Sequence, residues 1–518
     1  MRNLKNAFTL ITVLAGFFAV AQSQNKTFTQ KIMKEWEPLI ERSSLYSFDG
    51  KVVAKIWTGD SAEFVVFDLV QNEIRQSEKI AFDKFSSSFL TFADDSTLKT
   101  FYSNTIYKND ESFRDIHCLT YNVRSGNYTN RAICETPGYL FKMGFKEQIN
   151  GNFYSSVFSA FRSSTKKKSI IVYRPEAKNP DEEMRFGVIM LNELLEMEWH
   201  QEYDFPFDRE HASISDWAVD DDGIAHAFFA IKNEDAKKRQ KNYNGIYIAS
   251  FNKNEIAKIS QLNFTKSSFG SHLEVFKSDK EEKFGACMGF MNESKPELMI
   301  FDIEDKEKLR PIVSISIYDE LKNAVEKMDR NNLFYTEQQL DEMLPYYSLQ
   351  IKEIRILDSG NYLIFLRDRH VVYGDSRYDY TKSLTVLNVS SSFEVNWIRK
   401  IPIHSSSTYY GTNNSILNLK SDQIEVINYV NRENLGKVEK SKLLMMRAYK
   451  PKKTQPSVLL KHSLSLKSGV AETTILLDTE DLGLTKKTIA HTSKVYRKDN
   501  NSWVTILKTT EGLKLFTF

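Results

Sequence analysis

The sequence carries no surplus of charge of either sign: 70 Lys and Arg stand against 68 Asp and Glu in 518 residues. Without a basic excess there is no large counterion-release term, so a nucleic-acid partner is not expected. Glycine (20) and proline (11) are too scarce for a collagen-like or low-complexity chain. Cysteine is nearly missing, with only Cys118, Cys134 and Cys287, which excludes a disulfide-built scaffold. Beyond the N-terminus no apolar run approaches the ~18 residues of a spanning helix, so no transmembrane helix is expected. No zincin, EF-hand or nucleophile-elbow spacing occurs, and neither a metal nor a cofactor is expected. What is plentiful is aromatic: 35 Phe, 24 Tyr and 6 Trp, enough to fill many small cores.

The one long apolar run, Ala7 to Val20, follows Arg2 and Lys5 and ends at Ala19-Val20-Ala21. A positive start, a short apolar stretch and a small-residue cleavage motif make a secretory signal over residues 1–21. The mature chain, 22–518, is expected to be exported, to the periplasm, the extracellular space or the cell surface. Loss of Arg2 and Lys5 leaves its acidic and basic residues equal in number. In an oxidising compartment disulfides persist. If Ser125-Gly126-Asn127 forms a three-residue hairpin loop, Arg124 faces Tyr128 and Cys118 falls opposite Cys134, which predicts a disulfide between them. Cys287, in an apolar strand pattern, reads as a small buried hydrophobe.

Short strand-like runs separated by turn residues dominate the rest. Ile354–Leu357, Asn361–Leu366, Ser383–Val389 and Phe393–Ile403 form one four-stranded meander. Asp216–Val219, Ile224–Ile231, Gly245–Phe251 and Glu255–Leu262 repeat it. The turn after the first strand recurs at Asp49-Gly50, Asp94-Asp95, Asn150-Gly151, Asp222-Gly223, Ser278-Asp279, Ser359-Gly360, Ser421-Asp422 and Asp499-Asn500. The shortest interval, 45 residues, is one propeller blade, and the longer ones need insertions. The predicted fold is therefore all-β, a single β-propeller domain of about eight four-stranded blades, with seven as the neighbouring count. The last unit has room for three strands: Lys494–Arg497, Ser502–Lys508 and Leu513–Phe518. A spare strand near Thr29–Ile40, containing Trp36, is expected to complete it and close the ring, because open sheet edges invite aggregation. An outer-membrane barrel is the rival fold, favoured by the alternating Leu513–Phe518 terminus and opposed by the lack of repeated ~10-residue strands with one apolar face.

Three stretches interrupt the rhythm. Tyr318 to Tyr346 is expected to be helical, with Leu321, Val325 and Met328 on one face and Thr336 with Gln339 as a capping box. Residues 163–184 and about 436–469 read as the other insertions, with Leu443–Tyr449 and Thr473–Leu477 both candidates for a third strand. From Ile354 onward, Arg355–Phe365, the run SLTVLNVSSSFEVNWIRKIP (Ser383–Pro402), Ser415–Asn434 and Lys494–Phe518 resemble uncharacterised exported propeller-like proteins of Bacteroidota-type bacteria. The resemblance covers about a third of the chain. It implies a propeller and export, and it implies no catalytic motif.

Candidate chemistry lies in the connections. HQEYDFPFDREH holds His200, Glu202, Asp204, Asp208, Glu210 and His211 in what reads as a polar inter-blade link. Asp204, Asp208 and Glu210 with His211 form the one candidate acid–base set. Serine-rich aromatic links recur at Lys84–Phe89, at Lys266–His272 and at His404–Gly411 with Tyr409 and Tyr410. Hydroxyls give direction and rings give area, which suits a glycan or a peptide. Arg367 and Arg369, in a stretch joining two strands of one blade, add anion-binding capacity or belong to a long exposed hairpin. Basic Lys166–Lys168 and Lys237–Lys241, next to acidic Asp181–Glu183 and Glu234-Asp235, read as solvated links. The expected ligand-binding residues are His211, His272, Arg367, Arg369, His404, Tyr409 and Tyr410. The reading that follows is a monomeric, non-catalytic binding or scaffold module with a glycan or protein partner in the cell envelope. The alternatives are a propeller hydrolase acting on a glycan or peptide, and a structural repeat protein without a small ligand.

Overall fold

A computed structural model of the chain describes residues 44–517, apart from single-residue breaks and links of which the longest are 141–156, 233–242, 263–270, 328–348, 408–414, 433–456 and 479–489. The putting together of strands is local: the main strands of each sheet pair antiparallel in chain order. Blade 1 comprises Ser44–Phe48, Lys51–Trp57, Ser61–Asp68 and Glu73–Gln76, with Ile80–Ala81 added beside its third strand. Blade 2 comprises Ser86–Asp94, Thr97–Lys108, Glu111–Asn122 and Tyr128–Pro137. Blade 3 runs Phe158–Arg162, Ser169–Tyr173, Glu183–Leu191 and Met197–Asp208, and blade 4 runs Ala212–Val219, Ala225–Lys232, Tyr243–Phe251 and Ile256–Leu262. Blade 5 is Ser271–Lys277, Lys283–Met291, Lys295–Asp302 and Pro311–Ser316, and blade 6 is Leu349–Ile356, Tyr362–Tyr373, Arg377–Val389 and Val395–Ser407. Blade 7 is Ser415–Leu419, Gln423–Asn431, Ser457–Ser465 and Ala471–Asp478. A three-stranded sheet of Ala490–Arg497, Trp503–Thr509 and Gly512–Thr517 follows.

The first strands of blades 1 to 6 lie side by side in order. Blade 6 meets blade 7, blade 7 meets the three-stranded sheet, and the first strand of that sheet meets Ser44–Phe48. The path is a closed ring: a β-propeller with seven four-stranded blades and a three-stranded sheet at its seam. The Thr29–Ile40 closing strand and Trp36 lie outside the described residues, as do the signal segment and the Asn150-Gly151 and Asp499-Asn500 turns.

Alternation drives the assembly. Successive side chains of a strand point to opposite faces, so each blade packs against both neighbours. Trp217 and Val219 of blade 4 join Ile170, Val172 and Phe186 of blade 3 in one core, while Ala218 and Phe228 join Leu273 and Val275 of blade 5 in the next. Aromatic contacts run through these seams, as with Phe186 against Trp217 at 5.6 Å and Phe64 stacked on Tyr121 at 4.3 Å. One extra clasp is parallel: Lys308–Leu309, from blade 5's last connection, pairs with Gln261–Leu262 on the outer edge of blade 4. It covers an edge that would otherwise be open.

One turn recurs. At Ser163, Asp220, Ser278 and Leu357 after the first strand, and at Asn192 and Ser390 after the third, the carbonyl accepts the N–H three residues on. The residue three places on has positive φ in every case: Lys166, Gly223, Glu281, Gly360, Leu195 and Phe393. Asp, Ser or Asn at the head caps further N–H groups, as Asp220 Oδ1 does for Asp222 and Ile224 at 3.0 and 2.8 Å. Reading Asx-Gly pairs finds the copies in which glycine takes the left-handed place and misses those in which Lys166 or Leu195 does.

That omission explains the main corrections. The stretch 163–184 is no insertion: it holds blade 3's first turn and its strand Ser169–Tyr173, and runs into Glu183–Leu191. Lys166–Lys168 belong to that turn, so their charge masks a boundary rather than marking a link. In blade 7 the third strand is Ser457–Ser465, inside the expected 436–469 insertion, and Thr473–Leu477 lies in the fourth strand. The expected helix is described over Ile317–Lys327, here α1, and the rest of 318–346 lies outside the described residues. It buries Ile317 and Leu321 against the blade 5–blade 6 core and so covers that seam.

The cysteine pairing is also corrected. Tyr121 pairs with Tyr128, and Asn122 with Asn127, so the loop is longer than the three residues that set Cys118 opposite Cys134. Cys118 faces Arg131, Cys134 faces Ile116 across a bulge, and Cys118, Cys134 and Cys287 are free. Burial pushes the Cys134 thiol up to about 12 and keeps it protonated. Cys287 is fully buried in the blade 4–blade 5 core, as expected of a small hydrophobe.

Candidate functional site: the ring axis and its two mouths

The meander order gives the ring two unlike mouths. Connections from first to second and from third to fourth strands all open on one, the turn mouth. Connections from second to third strands, and from each blade to the next, all open on the other, the link mouth. The turn mouth is built from short turns, six of them of the one repeated type, except for blade 5's connection carrying Lys308–Leu309. The link mouth carries the variable parts, including two long ribbons: Thr97–Lys108 with Glu111–Asn122 in blade 2, and Tyr362–Tyr373 with Arg377–Val389 in blade 6. Variable connections on a rigid frame are where binding residues accumulate.

The sequence-predicted ligand residues sort onto that mouth. His272 lies at the bulge near the start of blade 5's first strand, and His404 near the end of blade 6's fourth. Arg367 and Arg369 lie in the blade 6 ribbon, where Arg367 donates to Gln350 at 3.0 Å. Tyr362–Tyr373 and Arg377–Val389 pair along this stretch as a long antiparallel hairpin. His211, Glu210, Tyr409 and Tyr410 lie outside the described residues.

The expected acid–base link is a strand. Met197–Asp208 is the outer strand of blade 3, pairing with Glu183–Leu191. Hydrophobic Tyr203, Phe205 and Phe207 alternate with polar residues there and pack into the blade 3–blade 4 core. A charge-dense string concealed a half-buried strand. Its described polar side chains do not converge. Asp204 is exposed and paired with Arg185 at 2.9 Å. Asp208 stands opposite Glu183, at the strand's far end. His200 and Glu202 meet Tyr173 instead, whose hydroxyl lies 2.6 Å from His200 Nε2 and donates to Glu202 Oε1 at 2.9 Å. Glycine makes this reach possible: Gly187 sits between Tyr173 and Glu202 in the pairing, and a Cβ there would fall inside the Tyr173 ring. Burial, followed by the Glu202 carboxylate, drives the Tyr173 phenol far above its usual range, and burial lowers His200. A neutral phenol between a neutral imidazole and a carboxylate ties the outer strand to the second one across the sheet.

Sequence reading missed a set on the first strands. Counting back four residues from the turn heads Ser163, Asp220, Ser278 and Leu357 gives Ser159, Asp216, Glu274 and Glu353, equivalent places on four successive first strands. The signal was present as spacing, but only with the turn heads assigned. Leu273 and Val275 face blade 4, so Glu274 between them faces the blade 6 side. Asp216 Oδ2 accepts the Leu273 N–H at 3.1 Å, so this carboxylate ties blade 4 to blade 5. Glu353 is paired with Arg355, whose guanidinium lies over Phe365 at 5.8 Å. Glu274, half-buried between the equivalent positions Asp216 and Glu353, is pushed up to about 8 by desolvation and then by those two charges. Among the described residues no group of three His, Cys, Asp or Glu is placed to hold a metal ion.

A raised carboxyl is neutral in the fold but ionised in the unfolded chain between about 4.5 and 8. Its contribution is therefore full below pH 4.5 and is lost as pH rises through 8. Glu274→Gln is expected to remove this loss, which amounts to at most about 1.4 kcal/mol per pH unit. Urea denaturation of the wild-type chain and the variant at pH 5 and pH 8 checks it: the stability gap should move in favour of the variant at pH 8.

No family model matches the chain, and no curated protein does. Solved structures with a similar arrangement include a prolyl endopeptidase, with 8% identity and a TM-score of 0.37 over 92% of this chain and 56% of that one. This chain thus spans little more than half of that protein's length. A periplasmic gluconolactonase of Pseudomonas aeruginosa matches with 11% identity and a TM-score of 0.33, over 81% of this chain and 96% of that one. The WD40 domain of SCAP from fission yeast matches with 8% identity and a TM-score of 0.36, over 94% and 98%. The propeller assignment rests on this chain's own strand order. No described helix is long and apolar enough to cross a membrane.

Proposed function

We propose that the protein is an exported, non-catalytic binding or scaffold module that takes a peptide or glycan at its link mouth. The observation that carries this reading is the asymmetry of the ring. One mouth is made mainly of short, internally hydrogen-bonded turns, and the other gathers both long ribbons and the ends of the strands bearing His272, Arg367, Arg369 and His404. Of the expected acid–base set, Asp204 is held by Arg185, while Glu210 and His211 lie outside the described residues; the nearby His200 and Glu202 are held by Tyr173. The resemblance to exported propeller-like proteins of Bacteroidota-type bacteria agrees with export.

The test is retention of defined probes on the immobilised chain: a panel of short peptides and a panel of neutral and acidic oligosaccharides. Arg369→Ala with His404→Ala is expected to weaken the retained probe about tenfold, a loss of ~1.4 kcal/mol, and Lys166→Ala on the turn mouth to leave it unchanged. Equal loss in the Lys166→Ala variant would move the site to the other mouth. Turnover of any probe, abolished by Asp208→Ala or His211→Ala, would replace the binding reading with the hydrolase one.

A further inference from the structure

Lys55 is the one described lysine driven down to about 7 by burial. It lies in the second strand of blade 1 with 4% of its surface exposed. Its amine donates to Thr91 Oγ1 of blade 2 at 2.8 Å, and Thr91 Oγ1 lies 3.3 Å from Thr100 Oγ1. The rings of Trp57 and Tyr46 stand 5.5 and 6.0 Å from the nitrogen. These faces favour a cation, but at the limit of their range. A buried ammonium ordinarily has a carboxylate partner, because desolvation otherwise outweighs what hydroxyls and rings return.

The groups facing this amine from each packed element are mostly neutral. From blade 2 they are the phenols of Tyr102 and Tyr121, both raised by burial. Asp83 and Asp115 act on Tyr102, and His117 stacks on that ring while bonded to Asp115 at 2.8 Å. Arg75 donates to the backbone carbonyls of Val123 and Arg124. On Lys55's own strand, Lys51 at the far end is paired with Asp68.

We propose that the seam between blades 1 and 2 is a proton-linked joint of the ring, closed over an uncharged Lys55 and parted with uptake of one proton by its amine. The joint adjoins the place where the ring closes, since blade 1 also meets the C-terminal three-stranded sheet. Lysine is depressed here, so the sign is fixed. The closed joint is most favoured above the free-amine value of 10.5 and loses that advantage progressively as pH falls to about 7, below which both forms are charged.

Hydrogen exchange of the full-length chain tests this, after correction for intrinsic exchange. Opening of Lys51–Trp57 and Ser86–Asp94 is expected to rise about tenfold per pH unit between pH 9.5 and 7.5 in the wild-type chain. In Lys55→Met it should be independent of pH, with the blade 3–blade 4 strands alike in both proteins. Lys55→Gln, polar but uncharged, must reproduce the flat profile if Met packs poorly. A flat wild-type profile, or the same slope in Lys55→Met and Lys55→Gln, would overturn the proposal.

Discussion

Replacing Gly187 with alanine should cost the protein several kcal/mol, on the order of 3 or more, at the upper end for overpacking a core. The cause is local. The Tyr173 ring lies flat over Gly187 to reach His200 and Glu202, and it is fully buried in the core between blades 2 and 3. A Cβ at Gly187 would come closer than 3.0 Å to several ring atoms, a separation that real Cβ atoms do not show. The ring cannot swing away, because Phe158 packs against it at 6.0 Å and the sheet lies beneath. Elsewhere in a strand, glycine to alanine usually stabilises by ~0.5–1 kcal/mol. The signature of the Tyr173 contact is therefore coupling. In a Tyr173→Ala background Gly187→Ala should be neutral or mildly stabilising, and a double-mutant cycle by urea denaturation measures the difference. Equal cost in both backgrounds would show that the ring is not what Gly187 accommodates.

Asp220→Ala should be nearly as damaging, by about 3 kcal/mol, for two separable reasons. Asp220 is 3% exposed and heads blade 4's first turn. Its Oδ1 accepts two turn N–H groups, and its Oδ2 accepts from Lys283 Nζ of blade 5 at 2.9 Å. His226 Nε2 stands 3.8 Å away, within ion-pair range but too far for a hydrogen bond. Burial opposes ionisation here, yet His226, the Ile224 N–H and Lys283 together hold the carboxyl far below its usual range. A depressed carboxyl contributes fully above its unfolded value, near 4, and that contribution is lost as pH falls further. Asp220→Asn keeps an acceptor for the turn and removes the charge. It should recover about half the loss at pH 7 and show a shallower acid-denaturation limb than the wild-type chain. Lys283 retains Asp222 at 2.6 Å, which limits the damage of either substitution.

Two shifted groups, Glu274 of blade 5 and Lys55 of blade 1, set a further pattern. Glu274 withdraws stability as pH rises from about 4.5 to 8, and Lys55 withdraws it as pH falls from 10.5 to about 7. Both penalties overlap near neutrality. Each comes from placing an ionisable side chain where strand alternation directs it into a seam, with no opposite charge paired to it among the described residues.

Much of the architecture was legible in order and spacing. The meanders at 216–262 and 354–403, the three short strands at the end, and the aromatic supply all follow from period-two patterning, which any half-buried antiparallel strand must show. Where charge overlay hid the period, the reading failed. HQEYDFPFDREH looked like a link because its exposed face is wholly polar, although Tyr203, Phe205 and Phe207 mark the buried one. Lys166–Lys168 hid a turn because lysine, not glycine, takes the left-handed place there.

The amino-acid sequence by itself determined the strand, the turn and the ring, because these depend on alternation and on a few residues within reach of one another along the chain. The neighbours of each charge were decided only by tertiary structure. Tyr173 finds His200 and Glu202 across Gly187, Glu274 comes between Asp216 and Glu353, and Lys55 meets Thr91 rather than an acid. Those partners come from strands or blades distant in sequence, and the registry of one sheet against the next sets their distances.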